Sequence, residues 1–196
     1  MTNADGMMKQ AHSSFIIGHS SFRATGASAF TVVELLIVMA IIMILAGLIF
    51  ATSNYVQNKG RRSRAEAEIA ALSAALENYK ADNGIYPSDP AKTELVDPTV
   101  SPTPAGASLY LYEKLAGDSN DDRVADTTSY FSFKPNQLSP ADQTQSVTFI
   151  RDPFGNSYGY STAKAANPAG LIGYNPTFDL WSTANETDSA RWIKNW

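Results

Sequence analysis

The chain has 196 residues and a formal net charge of −4, and the 14 acidic and 8 basic side chains from Asp82 onward argue against nucleic acid as a partner. It contains no cysteine, which excludes a disulfide framework and a thiolate zinc site. Both histidines, His12 and His19, lie in the first 29 residues, so a chain cleaved after residue 29 would lack the commonest general base and the usual Ser–His and Cys–His pairs.

The N-terminal region combines a polar leader with an apolar run. Residues 1–29 are rich in Ser, Ala and Gly, which is typical of a processing leader that is cleaved and is not part of the fold. Phe30–Ala51 follows and is apolar except for Thr31 and Glu34. The 17 uncharged residues of Leu35–Ala51 can just span a bilayer, which takes roughly 17–25 residues. A charge inside such a segment costs roughly 2.5–3.5 kcal/mol, so we expect Glu34 to have a partner or a function.

An amphipathic helical pattern continues beyond the apolar run. Four apolar residues recur at 3–4–3 spacing on one stripe: Ile69, Leu72, Leu76 and Tyr79. Asn83-Gly84 provides a C-terminal stop. The pattern predicts one helix over residues 30–83, transmembrane to about residue 51 and roughly 80 Å long at 1.5 Å per residue. A compact head cannot cover a helix of that length. The first half of the helix must therefore lie in lipid or pack against the same helix of other copies of the chain.

A basic cluster follows the apolar run on the same predicted helix: Lys59, Arg61, Arg62 and Arg64. Such a cluster indicates either a solvated helix flank or a contact with lipid headgroups.

Residues 84–196 are predicted to form a globular head. A short helix is expected near Ser108–Ala116, and the segments after it alternate as strands do. The predicted strands are Tyr130–Phe133, a hairpin of Val147–Ile150 and Ser157–Ser161 around the turn Asp152–Asn156, and Thr177–Trp181. The predicted fold class is α+β, with a long N-terminal helix packed on a small C-terminal antiparallel sheet.

Two ordinary interpretations of Phe30–Ala51 are a single-span anchor and an uncleaved secretion signal, but neither explains Glu34. The segment from Ala29 to Glu34, AFTVVE, and the apolar residues after it resemble the processing and assembly signature of type IV pilin-like proteins. In that family a prepilin peptidase cuts just before the Phe and methylates the new amino terminus. The resemblance implies a cut between Ala29 and Phe30, with Ala29 standing where the family usually has Gly.

The same resemblance implies a role for Glu34 in assembly. After the cut, Glu34 becomes the fifth residue of the chain. The free amine of Phe30 on a neighbouring subunit can then neutralise its carboxylate, so that insertion into a growing filament relieves the cost of the charge in lipid.

Several segments resemble those of the major pseudopilins of type II secretion and occur in the same order: Asp82–Pro87 after the predicted helix, Asp152–Tyr158, Tyr174 with Phe178–Ser182, and Ile193–Trp196. This resemblance implies a non-enzymatic filament subunit, a pseudopilus or type IV pilus-like component that serves protein secretion. It implies one span in the bacterial inner membrane, with the head in the periplasm. The implied partners are copies of the chain in a helical homopolymer, minor pseudopilins, the inner-membrane assembly platform and the prepilin peptidase.

Two other functions remain open. The chain could be a subunit of a surface type IV pilus, or a membrane-tethered periplasmic glycan-binding module in which Glu34 is incidental. Six aromatic residues could form a glycan-binding face, for which packing in the core is the alternative: Tyr158, Tyr160, Tyr174, Trp181, Trp192 and Trp196.

Calcium is the one cofactor implied. The pseudopilins bind it in the loop that follows the FDLWS-like strand, which corresponds here to residues 183–189. That loop has no glycine, and its only carboxylates are Glu186 and Asp188.

A second candidate calcium loop spans residues 118–126. Asp118, Asn120 and Asp122 alternate as the first ligands of a calcium loop do, and Asp126 is next in line. Arg123 stands where the sharp-turn glycine belongs, so a solvated loop without metal is the alternative.

Overall fold

The computed structural model describes residues 30–100 and 103–196, and the predicted leader, including Ala29, lies outside this part of the chain. The first element, α1, is a helix of 52 residues, Val32–Asn83, which confirms the predicted long helix. The described chain divides into two units at Gly47 and Leu48, and α1 contributes residues to both.

Apart from Glu34, the part of α1 in the first unit is apolar around its whole circumference. Its large side chains are exposed, from 47% for Val38 to 78% for Val32. An 18-residue window of the helix has a mean hydropathy of 3.0, and none of that window is buried. By length and composition, α1 is therefore able to cross a membrane.

In the second unit, α1 supplies one wall of the hydrophobic core. The predicted stripe is confirmed, since Ile69, Leu72 and Leu76 are buried and Tyr79 packs against them. The second helix, α2, is Ala105–Ala116 and begins three residues before the predicted start.

The strands are short and antiparallel. Leu138–Ser139 (β1) pairs with Phe149–Ile150 (β2), and a three-stranded sheet has the order β3–β4–β5. Its members are Gly159–Ser161 (β3), Asp179–Ser182 (β4) and Ile193–Lys194 (β5). A one-turn helix, α3, is Ala163–Ala166. This arrangement confirms the predicted α+β class.

The predicted hairpin is present in a compact form. Arg151 bridges to Ser157 across a turn in which the Asp152 carboxylate accepts hydrogen bonds from the backbone N–H groups of Phe154 and Asn156, at 2.9 and 2.8 Å. The same carboxylate accepts a bond from the Ser182 hydroxyl of β4. Asp152 is 3% exposed, and burial raises its pKa above the usual value.

The predicted strand over Tyr130–Phe133 is wrong. The backbone N–H groups of Tyr130 and Phe131 both donate to the carbonyl of Leu115, at 2.8 and 2.9 Å. These amides cap the C-terminal end of α2 and cannot join a ladder. The alternation of aromatic residues has a different origin, since the Phe131 and Phe133 rings pack against each other at 4.7 Å.

A buried glutamate connects α1 to the hairpin. Glu68 accepts a hydrogen bond from the Tyr158 hydroxyl at 2.8 Å and pairs with the Arg64 guanidinium at 2.9 Å. Burial, together with the nearby Glu68, raises the pKa of Tyr158, so the hydroxyl stays protonated and continues to donate. Because Glu68 is 9% exposed, losing one partner would leave a buried charge poorly compensated.

A glycine allows β3 and β4 to approach closely. Gly159 lies opposite Trp181 in the register, and a Cβ at Gly159 would lie 2.1 Å from Cε2 of the Trp181 ring. Trp181 is fully buried, so the ring cannot move aside without disturbing the core.

We predict that Gly159→Ala lowers the free energy of unfolding by about 1–3 kcal/mol, because the added methyl overpacks the buried ring. Gly106→Ala is the matched control, since Gly106 is exposed in α2 with nothing within 4 Å of an added Cβ. Gly106→Ala should raise the free energy of unfolding by about 0.5–1 kcal/mol, because alanine is a better helix former than glycine. Denaturant unfolding of the full chain in detergent, followed by tryptophan fluorescence, measures both. Equal stability of the two variants would contradict the packing described.

Candidate processing and assembly site

Phe30, Thr31 and Glu34 lie together at the N-terminal end of α1. Glu34 is in the first turn of the helix, and all three side chains are exposed. The Thr31 hydroxyl oxygen accepts a hydrogen bond from the Glu34 backbone N–H at 3.2 Å. In return, Oε2 of Glu34 accepts from the Thr31 backbone N–H and from the Thr31 hydroxyl, both at 3.1 Å.

This reciprocal pattern is a capping box. It satisfies backbone donors at the start of the helix that have no partner within the helix itself. It also places the carboxylate at the positive end of the helix dipole. The signal was present in the sequence as Thr-x-x-Glu, but sequence reasoning treated Glu34 as an assembly residue alone and missed Thr31 as its partner.

The capping box uses only one oxygen of the carboxylate. The other, Oε1, has no hydrogen-bond partner among the residues that the structure describes. Glu34 is also the only charged residue between positions 30 and 58. No basic side chain of this stretch can therefore balance its charge, and a free oxygen remains for a donor from another molecule.

The acidic loop 118–126 is held together by its own hydrogen bonds. Asp118 is buried, and its Oδ2 accepts from the Tyr112 hydroxyl and from the Arg123 backbone N–H, both at 2.7 Å. Oδ2 of Asp126 accepts from the backbone N–H and the hydroxyl of Ser119, and these bonds hold the pKa of Asp126 below its usual value. The carboxylates of Asp118 and Asp126 thus stabilise the loop by accepting hydrogen bonds from its backbone and from nearby hydroxyl groups.

The two middle candidates of this loop have the same role. Asn120 accepts from the backbone N–H of Asp122, and Asp122 accepts from that of Val124, at 3.2 and 2.9 Å. Arg123 has a positive φ of 73°, as the glycine of a calcium loop would. Its guanidinium donates to the carbonyl of Gln145 at 3.0 Å and to that of Pro140 at 2.7 Å, which ties the loop to residues 140–145.

The candidate residues of the C-terminal loop also have partners. Asp188 accepts from the Ala190 backbone N–H at 2.9 Å and caps a 3-10 turn, and the Glu186 carboxylate lies 3.7 Å from the Arg191 guanidinium. Within residues 30–100 and 103–196, no three His, Asp or Glu side chains are arranged so that they could hold a metal ion.

Most of the candidate aromatic face lies inside the head. Four of the six rings are at most 5% exposed: Tyr158, Tyr160, Trp181 and Trp192. The other two, Tyr174 and Trp196, stack on each other at 4.8 Å. Core packing therefore accounts for the four buried rings.

The chain is similar to several curated proteins named type II secretion system core protein G. It is 36% identical to the one from Pectobacterium carotovorum subsp. carotovorum over 89 residues, which are 44% of this chain and 55% of that protein. It is 35% identical to the one from Pseudomonas aeruginosa over 79 residues, which are 39% of this chain and 56% of that protein. It is 37% identical to the one from Aeromonas hydrophila over 79 residues, which are 39% of this chain and 55% of that protein.

The chain spans about half the length of these curated relatives. No protein-family model matches it, and no solved structure matches it either. The similarity to core protein G in several species nevertheless confirms the resemblance to the major pseudopilins of type II secretion that the sequence motifs predicted.

Proposed function

We propose that the chain is a structural, non-enzymatic subunit of a pseudopilus, a type IV pilus-like filament that serves protein secretion. The observation that carries the proposal is Glu34, a lone carboxylate with one free oxygen at the start of a helix whose first part is otherwise apolar on all sides. The names of the relatives support the secretion role, since each denotes a core protein of a type II secretion system.

The proposal includes a processing step. A prepilin peptidase hydrolyses the peptide bond between Ala29 and Phe30, which leaves a free amine on Phe30 that the enzyme then methylates. Such an amine would precede the capping residue Thr31 and so lie near the positive end of α1.

In the proposed assembly step, the Phe30 amine of one subunit pairs with the Glu34 carboxylate of its neighbour. The Phe30 amine of one subunit donates to Glu34 of the next, while Oε2 of that glutamate can keep its bonds to Thr31. A pair in a low-dielectric environment is favourable only when both charges and their remaining hydrogen-bonding groups are satisfied. The capping box satisfies one oxygen, and the neighbouring amine satisfies the other.

The proposed location is the bacterial inner membrane, with one span and the head in the periplasm. The first half of α1 is the span, and the proposed partners are other copies of the chain, minor pseudopilins, the assembly platform and the prepilin peptidase. A surface pilus would use the same helix, but the relatives are named for secretion. A glycan-binding role has less support, because four of the six candidate rings are buried.

We predict that Glu34→Ala leaves the chain in the membrane but lowers the amount of assembled filament more than about tenfold. Removing one partner of a desolvated charge pair costs about 3–5 kcal/mol. The measurement is membrane fractionation, together with electron microscopy of sheared filaments from cells that express the full chain and the secretion system.

Glu34→Gln separates the two roles of this side chain, because a glutamine can still complete a capping box but carries no charge. Charge pairing predicts that the glutamine variant fails as the alanine variant does. Normal filaments from Glu34→Gln would show that capping alone is required and would contradict the proposed pairing.

Calcium binding remains a prediction of the sequence. If calcium binds the folded chain, mass action raises the unfolding temperature with added calcium. We expect this rise to disappear in Asp188→Asn if the C-terminal loop binds calcium, and in Asp122→Asn if the acidic loop does. The change in unfolding temperature is measured by thermal unfolding of the full chain in detergent, with calcium or with a chelator. Magnesium is the control ion. An unchanged unfolding temperature would contradict the prediction.

A further inference from the structure

Four cations of α1 follow the apolar run, and they divide into residues with and without partners in the chain. Arg62 donates to a backbone carbonyl of the head at 2.8 Å, and Arg64 pairs with Glu68 at 2.9 Å. The side chains of Lys59 and Arg61 are exposed, and within the described residues neither makes a hydrogen bond or an ion pair. Two positive charges therefore remain available to another molecule.

No carboxylate of α1 is placed to compensate these two charges. The sequence contains no Asp or Glu from residue 35 to residue 65. The next one, Glu66, is seven residues beyond Lys59 and five beyond Arg61, whereas ion pairs on a helix need a spacing of three or four. A compensating negative charge therefore has to come from outside the chain.

A second helix cannot lie against Arg61, because the head occupies that side of α1. The buried residues Ala65, Glu68 and Leu72 all lie within about 40° of Arg61 around the helix. Arg61 also immediately precedes Arg62, whose guanidinium is bound to the head. Its side chain therefore lies in the space between the head and the end of the apolar run, where a membrane surface can reach it.

The two cations lie at the height of a membrane surface along α1. The apolar run of residues 35–51 is about 25 Å long, and the hydrocarbon core of a bilayer is about 30 Å thick, so the core extends a few ångströms past Ala51. The headgroups add roughly 5–7 Å on each side. Lys59 and Arg61 follow Ala51 by about 12 and 15 Å along the axis. Lys59 is thus at the outer edge of the headgroups and Arg61 is just beyond it.

Helix geometry directs both side chains back toward the membrane. In an α-helix every Cα–Cβ bond is tilted toward the N-terminus, and long side chains continue in that direction. The attraction of an anionic membrane surface acts over about a Debye length, which is about 8 Å at physiological ionic strength. Both charges are within this range of the headgroups.

The residues between the apolar run and the cations also suit a membrane interface. Tyr55 is 72% exposed and Val56 is 63% exposed, and no residue from 52 to 58 is charged. Tyrosine is enriched at membrane–water interfaces, where its ring lies at the level of the headgroups. The order of apolar run, aromatic residue and cations is the order of environments that a helix meets as it leaves a bilayer.

We propose that Lys59 and Arg61 bind the phosphate groups of anionic phospholipids at the membrane surface that faces the head, and thereby fix how deeply α1 lies in the bilayer. The inference rests on the membrane span of the proposed function and does not require a filament. Arg62 and Arg64 hold α1 to the head and its hairpin instead.

The chain has no cysteine, so one engineered cysteine can report how close this part of α1 lies to the headgroups. The full chain carries a fluorescent dye on Asn58→Cys and is reconstituted into vesicles of phosphatidylcholine, with or without phosphatidylglycerol. Acrylamide, a neutral quencher, measures the exposure of the dye to water. We expect phosphatidylglycerol to lower the quenching, and high salt to restore it by screening the charges.

Substitutions assign the effect to the two cations. Lys59→Gln and Arg61→Gln should each weaken the apparent binding of phosphatidylglycerol about fivefold, and the double variant should weaken it further. Lys80→Gln is the matched control, because it makes the same charge change about 30 Å farther along α1 and should leave the quenching unchanged. Unchanged thermal unfolding shows that the substitutions leave the fold intact.

Equal quenching in the two kinds of vesicle, or an equal loss in Lys80→Gln, would overturn the lipid contact. Quenching that falls with the density of protein in phosphatidylcholine vesicles would also overturn it and would assign the two charges to another copy of the chain. These results leave the filament untouched, since no filament is needed for the measurement. A wild-type chain that an alkaline wash removes from the vesicles would instead refute the membrane span, and with it the proposed function.

Discussion

The constraint on which the molecule depends is one carboxylate at the start of an apolar helix. Glu34 cannot be compensated by any basic side chain of residues 30–58, because that stretch contains none. The capping box with Thr31 offsets part of its cost within the chain and leaves Oε1 open. The Glu34 carboxylate is therefore partly stabilised within the chain, and a further hydrogen-bond donor or positive charge at Oε1 would stabilise it more. A cleaved N-terminus would supply that partner, since the Phe30 amine exists only after the leader is removed.

The same helix serves two environments. Its first part exposes apolar side chains on every side, whereas its second part buries the stripe of Ile69, Leu72 and Leu76 in the head. Glu68 fixes this second part through Tyr158, a residue 90 positions away. Arg62 also fixes this second part, since its guanidinium donates to the carbonyl of Arg191 at 2.8 Å.

Sequence patterns predicted the parts of the fold that depend on local periodicity or turn chemistry. The spacing of the Ile69 stripe indicated its burial, and the Asp152 turn indicated the hairpin. The pattern over Tyr130–Phe133 was misleading, because its amides bind the carbonyl of Leu115 and its rings pack on one another. β1 and β5 were not predicted, since each has only two residues, which is too few to show the alternation of a strand. At the candidate site, the charge of Glu34 in an apolar segment was recognised from the sequence, whereas the capping-box spacing of Thr31 and Glu34 was overlooked until the geometry showed their hydrogen bonds.

The proposed pairing of Glu34 requires the cut between Ala29 and Phe30, so the mature N-terminus is the most direct test. Intact-mass and peptide mass spectrometry of the chain purified from membranes that contain a prepilin peptidase would determine it. We predict a chain that begins at an N-methylated Phe30. An intact leader, or a chain cut at the end of the apolar run and therefore lacking Glu34, would contradict the assembly role of Glu34.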